Sequence, residues 1–499
     1  MRESSAAKPD PTEILDTQEA GSAALRGSFL RVGSYVGGLL LALLAAPLLV
    51  RYLGQEDFGR YFTVVSLIAI VAGLTEGGLN LIATREYANL RGEERHGVMA
   101  NLFGMRLVLS IVGGLLAVLF AALAGYAQVL VIGTAVAAGG MILQLAQMML
   151  VVPLQSSLRF GWAASVELLR QVVSVGLIVS LVLAGSGLLA FLAVPIPACL
   201  AALVATALLV RHLTPLMPRF QLGTWRPLMK DTFVFAVAIA VSTLYFRVTV
   251  VIMSLGSTGL QTGYFSTSFQ VVAVMIALPS LLVGSAFPIL SRAANEDPPR
   301  LRAATRRVFE LSVIAGAWLT LCTVVGSNLI VRVLGGAEAL PAAPVLRIQA
   351  IAILATFVTV ACGTVLVSLR LYREVLLINF LALLVAVGLS LVLIPAGGAE
   401  GAAAAAVVAE LLLASMNVAV LVRADRKMKL PFGGVALVMA CAGLALAVGW
   451  LLASWPVAGV AAATVVFVIA LKAVGGFPPE LQQALGVLAP GSIVARLRS

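Results

Sequence analysis

Charged residues are scarce in this chain of 499 residues. Only 11% are Asp, Glu, Lys or Arg, less than half of the roughly 25% usual in soluble proteins. Histidine is limited to His96 and His212, which argues against a zinc site or a catalytic triad. The four cysteines all lie in apolar stretches and do not suggest a disulfide framework. These shortages exclude an ordinary soluble enzyme, and the 61% hydrophobic content excludes a disordered chain.

Long runs without any charge dominate the rest of the sequence. The longest are 107–158, 171–210, 248–291 and 430–471, whereas one helix of about 20 residues crosses a bilayer. The sequence therefore predicts an all-α integral membrane protein with fourteen transmembrane helices. The predicted spans are 28–50, 58–81, 101–124, 128–152, 163–184, 188–210, 231–254, 261–290, 308–331, 346–369, 375–396, 401–422, 433–453 and 457–474.

The basic residues test this count. An even number of spans places both termini on one side, and all but five of the 33 Lys and Arg residues then fall on that side or at the helix ends beside it. The exceptions are Arg51, Arg60, Arg332 and Arg347 on the other side and Arg247 within a span. By the positive-inside rule both termini are predicted to be cytoplasmic. Topology thus explains the net charge of +11, and no aromatic and basic platform for nucleic acid is present.

A short internal repeat indicates how the spans are grouped. The segment LGQEDFGRYF, Leu53–Phe62, is similar to LGSTGLQTGYF, Leu255–Phe265, and the offset corresponds to six spans. This predicts two six-helix bundles related as parallel repeats, plus two C-terminal helices. The predicted domains are a disordered cytoplasmic tail 1–24, an N-terminal bundle 25–213, a cytoplasmic linker 214–230, a C-terminal bundle 231–425, two additional helices 426–474 and an amphipathic cytoplasmic tail 475–499.

The same segments carry a family resemblance. PLLVRYLGQEDFGRYF followed by LTEGGLNLIATREYAN resembles the opening of the polysaccharide (O-antigen-type) flippases, within the multidrug, oligosaccharidyl-lipid and polysaccharide exporter superfamily. Gln55 replaces a family proline, Glu76 stands at an acidic position, and Arg85 matches a family arginine. The stretch YFRVTVVIMSLGSTGLQTGYFSTSFQ also resembles the family, with Arg247 kept and Thr249 in place of an aspartate. The resemblance covers about residues 25–425.

This resemblance implies a function. It implies alternating access between two bundles and transfer of an isoprenoid-pyrophosphate-linked oligosaccharide from the inner to the outer leaflet of the bacterial inner membrane, for polysaccharide export. Membrane lipids, a polysaccharide polymerase and glycosyltransferases are the implied partners, and no cofactor is expected.

Basic groups in or beside the spans are the first candidate site residues. Guanidinium groups bind phosphate oxygens bidentately, which suits a pyrophosphate. We therefore expect Arg31, Arg85, Arg106 and Arg247 to bind substrate. Arg247 lies deepest in its span, whereas topological anchoring is an alternative role for the other three.

Embedded carboxylates are the second group. Glu76, Glu310 and Glu410 could couple transport to an ion gradient, or could form structural pairs with a nearby arginine. Glu167 and Arg170, three residues apart, fit an intrahelical pair or a site. The amides of Gln144 and Gln147 could bind sugar hydroxyls or join helices.

Other functions stay open. A cation-coupled drug or small-molecule exporter of the same fold should have a less cationic cavity and an essential carboxylate. A membrane-embedded glycan polymerase or ligase would usually carry a large outer loop with catalytic groups, and the loop 332–345 offers only Arg332 and Glu338 as charges. A homologue that does not transport and acts as a scaffold would share the same sequence features.

Overall fold

The structure is a computed structural model that describes residues 19–157, 159–214, 217–284, 286–452 and 454–476. This part consists of α-helices and connecting turns, with a short 3-10 turn at Ala337–Ala339 and no strand. The predicted tails 1–24 and 475–499 lie mainly outside it. The helices are α1 Glu19–Glu76, α2 Leu79–Asn89, α3 Gly92–Leu123, α4 Gln128–Ser156, α5 Phe160–Leu183, α6 Leu188–Ala193, α7 Pro195–Val210, α8 Leu222–Gly256, α9 Gly259–Gly284, α10 Phe287–Glu296, α11 Pro298–Gly335, α12 Ala342–Ser368, α13 Tyr372–Ala424, α14 Phe432–Leu451 and α15 Pro456–Ala473.

Twelve helical stretches in the described residues are long and apolar enough to cross a membrane. Two of them, Leu44–Asn89 and Tyr372–Ala424, have 46 and 53 residues, or about 70 and 80 Å of helix, more than twice the hydrocarbon thickness of about 30 Å. Each is broken by a glycine outside the helical region, at Gly54 (φ 70°, ψ 174°) and Gly398 (φ 54°, ψ −129°). Positive φ is easily adopted only by glycine. The fourteen predicted spans are consistent with these two breaks.

The chain divides into two compact units, unit 1 up to Val251 and unit 2 from Ile252 onward. In unit 1 a buried core joins α2, α3, α4 and α7 through residues such as Ile82, Leu102, Met149 and Val210. In unit 2 a core joins α9, α11 and α12, including Phe357. The division falls within α8, C-terminal to the predicted linker 214–230.

Each unit has a hydrogen bond that joins the same two turns. In unit 1 the hydroxyl of Tyr52, beside the Gly54 break, donates to the backbone oxygen of Ser186 at 2.9 Å, 134 residues later. In unit 2 the backbone N–H of Ala399, beside the Gly398 break, donates to Oε1 of Gln261 at 3.0 Å, 138 residues earlier. In each unit, the turn that carries the repeated segment therefore contacts the turn that follows the fifth helix of that half. This supports the two parallel repeats predicted from the sequence.

Residues of the linker pack on α3 in unit 1. The backbone N–H of Arg219 donates to the oxygen of Ala100 at 2.9 Å. Asn101 and Gln221 exchange two hydrogen bonds, each 3.1 Å long, between Nδ2 and Oε1 and between the Gln221 N–H and Oδ1. A Cβ atom on Gly104 would lie 2.1 Å from the oxygen of Arg219. The glycine therefore permits this close approach of the linker to the helix.

We expect Gly104→Ala to displace the linker and lower the thermal unfolding midpoint. The added Cβ would collide with the backbone of Arg219, which cannot move aside as the end of a flexible side chain can. The loss should exceed the gain of about 0.5–1 kcal/mol that alanine normally brings to a helix interior. The matched control is Gly97→Ala on the same helix, where the added Cβ atom would lie 4.0 Å from Nη1 of Arg219. Thermal unfolding in detergent measures both, and equal midpoints for the two variants would contradict the packing argument.

In unit 2 an ion pair joins the start of α11 to the end of α13. Nε of Arg302 lies 2.6 Å from Oδ2 of Asp425, and both side chains are partly exposed. The hydrogen bond from Arg302 lowers the pKa of the Asp425 carboxyl below its ordinary value of 3.8. A carboxyl with a depressed folded-state pKa stabilises the fold above its unfolded pKa and loses this contribution as the pH falls through the folded pKa.

Asp425→Asn should therefore destabilise the protein at neutral pH by about 1 kcal/mol or less, since partly exposed pairs are screened by solvent. The difference from the wild type should shrink as the pH falls below the ordinary carboxyl pKa. The control is Glu400→Gln, whose carboxylate forms no ion pair in the described part of the chain. A difference in unfolding midpoint that stays constant down to strongly acidic pH would refute the linkage.

Candidate functional site

A polar cavity lies within unit 1 among helices that are otherwise apolar. It encloses about 520 Å³, within the range of about 300–1,000 Å³ typical of small-molecule sites. Helices α2, α4 and α5 form its walls. The polar side chains that line it are Asn80, Gln144, Gln147, Gln155, Glu167 and Arg170.

Helix α4 contributes a row of glutamines to this cavity. Positions 144, 147, 148, 151 and 155 all line it, and their spacing of three and four residues places them on one helix face. Gln144 and Gln155 are exposed, whereas Gln147 is buried and its Nε2 donates to Oγ1 of Thr206 at 3.3 Å. Three glutamines therefore lie along about 16 Å of one face of an uncharged helix, at 1.5 Å per residue, with Met148 and Val151 between them.

Helix α5 contributes the charged pair. Nε and Nη2 of Arg170 donate to the two carboxylate oxygens of Glu167, with 3.1 Å between Nε and Oε2. This confirms the predicted intrahelical pair and also places it in the cavity wall. The bidentate contact leaves the pair with no net charge.

Arg106 lies at the centre of a second polar cluster in unit 1. Its side chain is fully buried, and its guanidinium donates to the backbone oxygens of Leu145 (3.3 Å) and Glu76 (3.1 Å). It also contacts Oδ1 of Asn80 at 3.5 Å, and Asn80 donates to Oε1 of Glu76 at 3.2 Å. The structure thus joins two residues that the sequence assigned to separate roles, substrate binding for Arg106 and coupling for Glu76.

The backbone oxygen of Glu76, which accepts the hydrogen bond from Arg106, lies at the end of a helix. Helix α1 stops at Glu76, Gly77 and Gly78 have φ values of 47° and 72°, and α2 begins at Leu79. The last carbonyls of a helix lack donors within the helix. The Arg106 guanidinium supplies a donor to one of them, and this contact stabilises the break.

Arg247 lies within a span, as expected of the arginine that the sequence places deepest. It is about 16 Å from the start of the span Ala236–Gly256, at 1.5 Å per residue. Its Cζ atom lies 5.5 Å from the ring centre of Phe62 and 5.6 Å from that of Phe246. These distances fit cation–π contacts. Phe62 is the last residue of the repeated segment Leu53–Phe62. Arg247 therefore packs against this segment.

The two other predicted arginines differ in what the structure shows. Arg85 on α2 is exposed and pairs with the adjacent Glu86, with 2.8 Å between Nη2 and Oε1. Arg31 lies in α1, and its side chain is outside the described part of the structure. The structure does not bring Arg85 into the cavity.

The remaining predicted carboxylates belong to unit 2 and do not line this cavity. Glu310 pairs with Arg306 on α11, with 2.9 Å between Oε1 and Nε. Glu410 accepts a hydrogen bond from Oγ1 of Thr356 at 2.9 Å. Within the described residues, no group of three His, Cys, Asp or Glu side chains is placed to hold a metal ion.

Two polar residues of these clusters were not predicted from the sequence. Asn80 bridges Arg106 and Glu76, and Gln155 extends the glutamine row. Asn80 follows Glu76 by four residues, a spacing at which helical side chains are neighbours. That spacing could have indicated the cluster. Gln155 follows Gln147 by eight residues on the same face, so the row could have been extended in the same way.

The twelve long apolar helices of the described residues and this polar interior define a multi-pass membrane protein. A family model described as polysaccharide biosynthesis protein matches residues 24–294, more than half of the chain. The chain belongs to this polysaccharide biosynthesis family. No curated protein sequence gives a significant match.

Solved structures share the fold. The lipid II flippase MurJ in an inward closed conformation gives a TM-score of 0.75 at 13% identity, covering 89% of this chain and 98% of that chain. An inward-facing multidrug resistance MATE family transporter of the MOP superfamily gives 0.59 at 13% identity, covering 78% and 96%. A MOP superfamily transporter from Pyrococcus furiosus gives 0.55 at 16% identity, covering 84% and 97%. At these identities the matches show a shared fold.

Proposed function

We propose that this protein flips an isoprenoid-pyrophosphate-linked oligosaccharide from the inner to the outer leaflet of the bacterial inner membrane, by alternating access, for polysaccharide or O-antigen export. Both termini are cytoplasmic in this proposal, in line with the distribution of basic residues. A polysaccharide polymerase and glycosyltransferases are the proposed functional partners.

The polar cavity in unit 1 is the observation that carries the proposal. A head group rich in hydroxyls cannot enter hydrocarbon without replacement of its hydrogen bonds to water. A cavity lined by carboxamides and an ion pair offers such replacement. Membership of the polysaccharide biosynthesis family and the fold shared with a lipid II flippase support the same class of substrate.

Arginine roles divide according to their contacts. Arg247, whose observed contacts include two aromatic rings, is the proposed contact for the pyrophosphate. Arg31 and Arg85 are proposed to attract that group at the cytoplasmic ends of their helices. Arg106 is fully enclosed by its partners, so we assign to it the support of the α1–α2 break.

Ion coupling is part of the proposal only at the carboxylates Glu76, Glu310 and Glu410. Glu76 is the strongest of these because it belongs to a cluster beside a helix break. A cation-coupled exporter of small molecules is the second function to be tested, since MATE transporters share the fold.

The test is reconstitution of the purified protein into liposomes of bacterial lipids. The probes are a fluorescent polyprenyl-pyrophosphate oligosaccharide, the same lipid without sugar, and a cationic dye, each with and without a proton or sodium gradient. We expect transfer of the glycolipid across the bilayer, measured by loss of fluorescence to a membrane-impermeant quencher. Protein-free liposomes are the control. Transport of the dye alone would replace the proposal by the exporter function.

A further inference from the structure

We infer that the unit 1 cavity is a binding chamber for the uncharged sugar residues of the substrate and does not hold its pyrophosphate. This inference rests on the proposed function and names both the part of the substrate that enters the cavity and the charge that the cavity selects. The polar atoms of the glutamine row on α4 and the neutral ion pair on α5 carry it.

The position of Gln144 requires a polar neighbour. It lies about 24 Å from the start of α4 at 1.5 Å per residue, in the middle of a charge-free helix, yet its side chain is exposed. Neither the side chain of Gln144 nor that of Gln155 forms a hydrogen bond to another described residue. Each carboxamide offers two N–H donors and one acceptor oxygen. Sugar hydroxyls, which both donate and accept, match this set, whereas a phosphate only accepts.

The side chain of Gln147 is held in place in the cavity wall by hydrogen bonds. This residue is 5% exposed and lines the cavity. Its Nε2 donates to Oγ1 of Thr206, which itself donates to the backbone oxygen of Ala202 at 2.7 Å. A side chain fixed in this way presents its carboxamide in one orientation. Such support from a second layer of hydrogen bonds is what a binding site requires.

The charge of the chamber sets its selectivity. Among the described residues that line it, the charged side chains are Glu167 and Arg170, and they neutralise each other. A pyrophosphate or a sugar carboxylate would have to compete with Glu167 for the Arg170 guanidinium. Neutral sugars, such as hexoses and N-acetylhexosamines, meet no such competition. The chamber therefore favours neutral over acidic sugars.

Two readouts test the chamber. The first is binding in detergent of three polyprenyl-pyrophosphate probes that carry a neutral oligosaccharide, the same oligosaccharide ending in glucuronic acid, or no sugar. The second is transfer of the same probes across liposome bilayers. The variant Gln144→Leu/Gln155→Leu should weaken binding of the neutral probe at least tenfold and change binding of the sugar-free probe less than twofold. The matched control is Gln128→Leu, an exposed glutamine at the start of α4 outside the cavity.

Neutralising each member of the ion pair should change the ratio of acidic to neutral probe bound in opposite directions. Glu167→Gln leaves the Arg170 cation without its partner, so the ratio of acidic to neutral probe bound should rise at least fivefold. Arg170→Gln leaves the carboxylate, so the same ratio should fall. A ratio does not depend on the fraction of folded protein. An unchanged ratio in both variants, or equal loss of all three probes in the glutamine variant, would overturn the inference.

The two proposals can fail separately. If the wild type binds the neutral probe through Gln144 and Gln155 but transfers none of the probes, the flippase function is wrong and the chamber stands. If the wild type transfers the glycolipid and the glutamine variant both binds and transfers it normally, the chamber is wrong and the flippase function stands.

Discussion

Replacement of Arg106 by methionine should lower the stability of the folded protein by about 2–5 kcal/mol, because a buried guanidinium loses its hydrogen bonds to three acceptors. Methionine fills a similar space but donates no hydrogen bond. It would leave the backbone oxygens of Glu76 and Leu145 and the amide oxygen of Asn80 without this donor. Each buried acceptor left unsatisfied costs about 1–3 kcal/mol. Thermal unfolding in detergent and the yield of monodisperse protein measure the effect.

The contrast with Arg85 makes this prediction specific. Arg85 lies on helix α2, and Arg85→Met removes only an exposed pair with Glu86. This substitution should lower the stability of the folded protein by about 1 kcal/mol or less. Arg106→Lys should be intermediate, because an ammonium group keeps the charge but lacks the planar fork. If Arg106→Met unfolds at the wild-type temperature and yet fails to transfer substrate, Arg106 binds substrate, as the sequence indicated.

Removal of the Arg247 guanidinium should weaken binding of the sugar-free polyprenyl pyrophosphate by about ten- to a hundredfold, since a hydrogen bond to a charged group contributes about 1.5–3 kcal/mol. Both Arg247→Ala and Arg247→Met should show this loss. The methionine variant keeps an apolar stem against Phe62 and Phe246, so equal loss in both identifies the charge and not the packing as the cause. Transfer of the glycolipid should fall in parallel.

The matched control for Arg247 is Arg60→Ala. Arg60 is exposed and pairs with Glu56 and Asp57 in the helical turns that follow the Gly54 break. Its removal should change binding and transfer less than twofold. Normal binding of the sugar-free probe by Arg247→Ala and Arg247→Met would remove this residue from the proposed site.

Span number was predictable because the bilayer imposes a length and excludes charge. The runs 107–158 and 430–471 had to contain two helices each, and the structure divides them as expected at turns after Leu123 and Leu451. The breaks at Gly54 and Gly398 lie between predicted spans. The extra interruption at Gly77–Gly78 lies within a predicted span, since glycine is common in membrane helices and does not by itself mark an end.

Side-chain direction was much less predictable. Arg106 and Arg85 have similar sequence environments near helix ends, yet one is fully buried and the other is exposed. Helix α3 is apolar around most of its circumference, so no polar face indicates which way Arg106 points. The glutamines of α4 could be recognised as unusual, but only the structure shows that their face meets Glu167 and Arg170 across one cavity.

The turn-to-turn connections in the two units have a consequence for the history of the chain. One is made by a phenol hydroxyl and a backbone oxygen, the other by a carboxamide and a backbone N–H. Donor and acceptor have exchanged places between the copies, while the location of the link has been kept. An ancestral gene that doubled and then diverged under selection for shape, and not for particular side chains, would leave such a record.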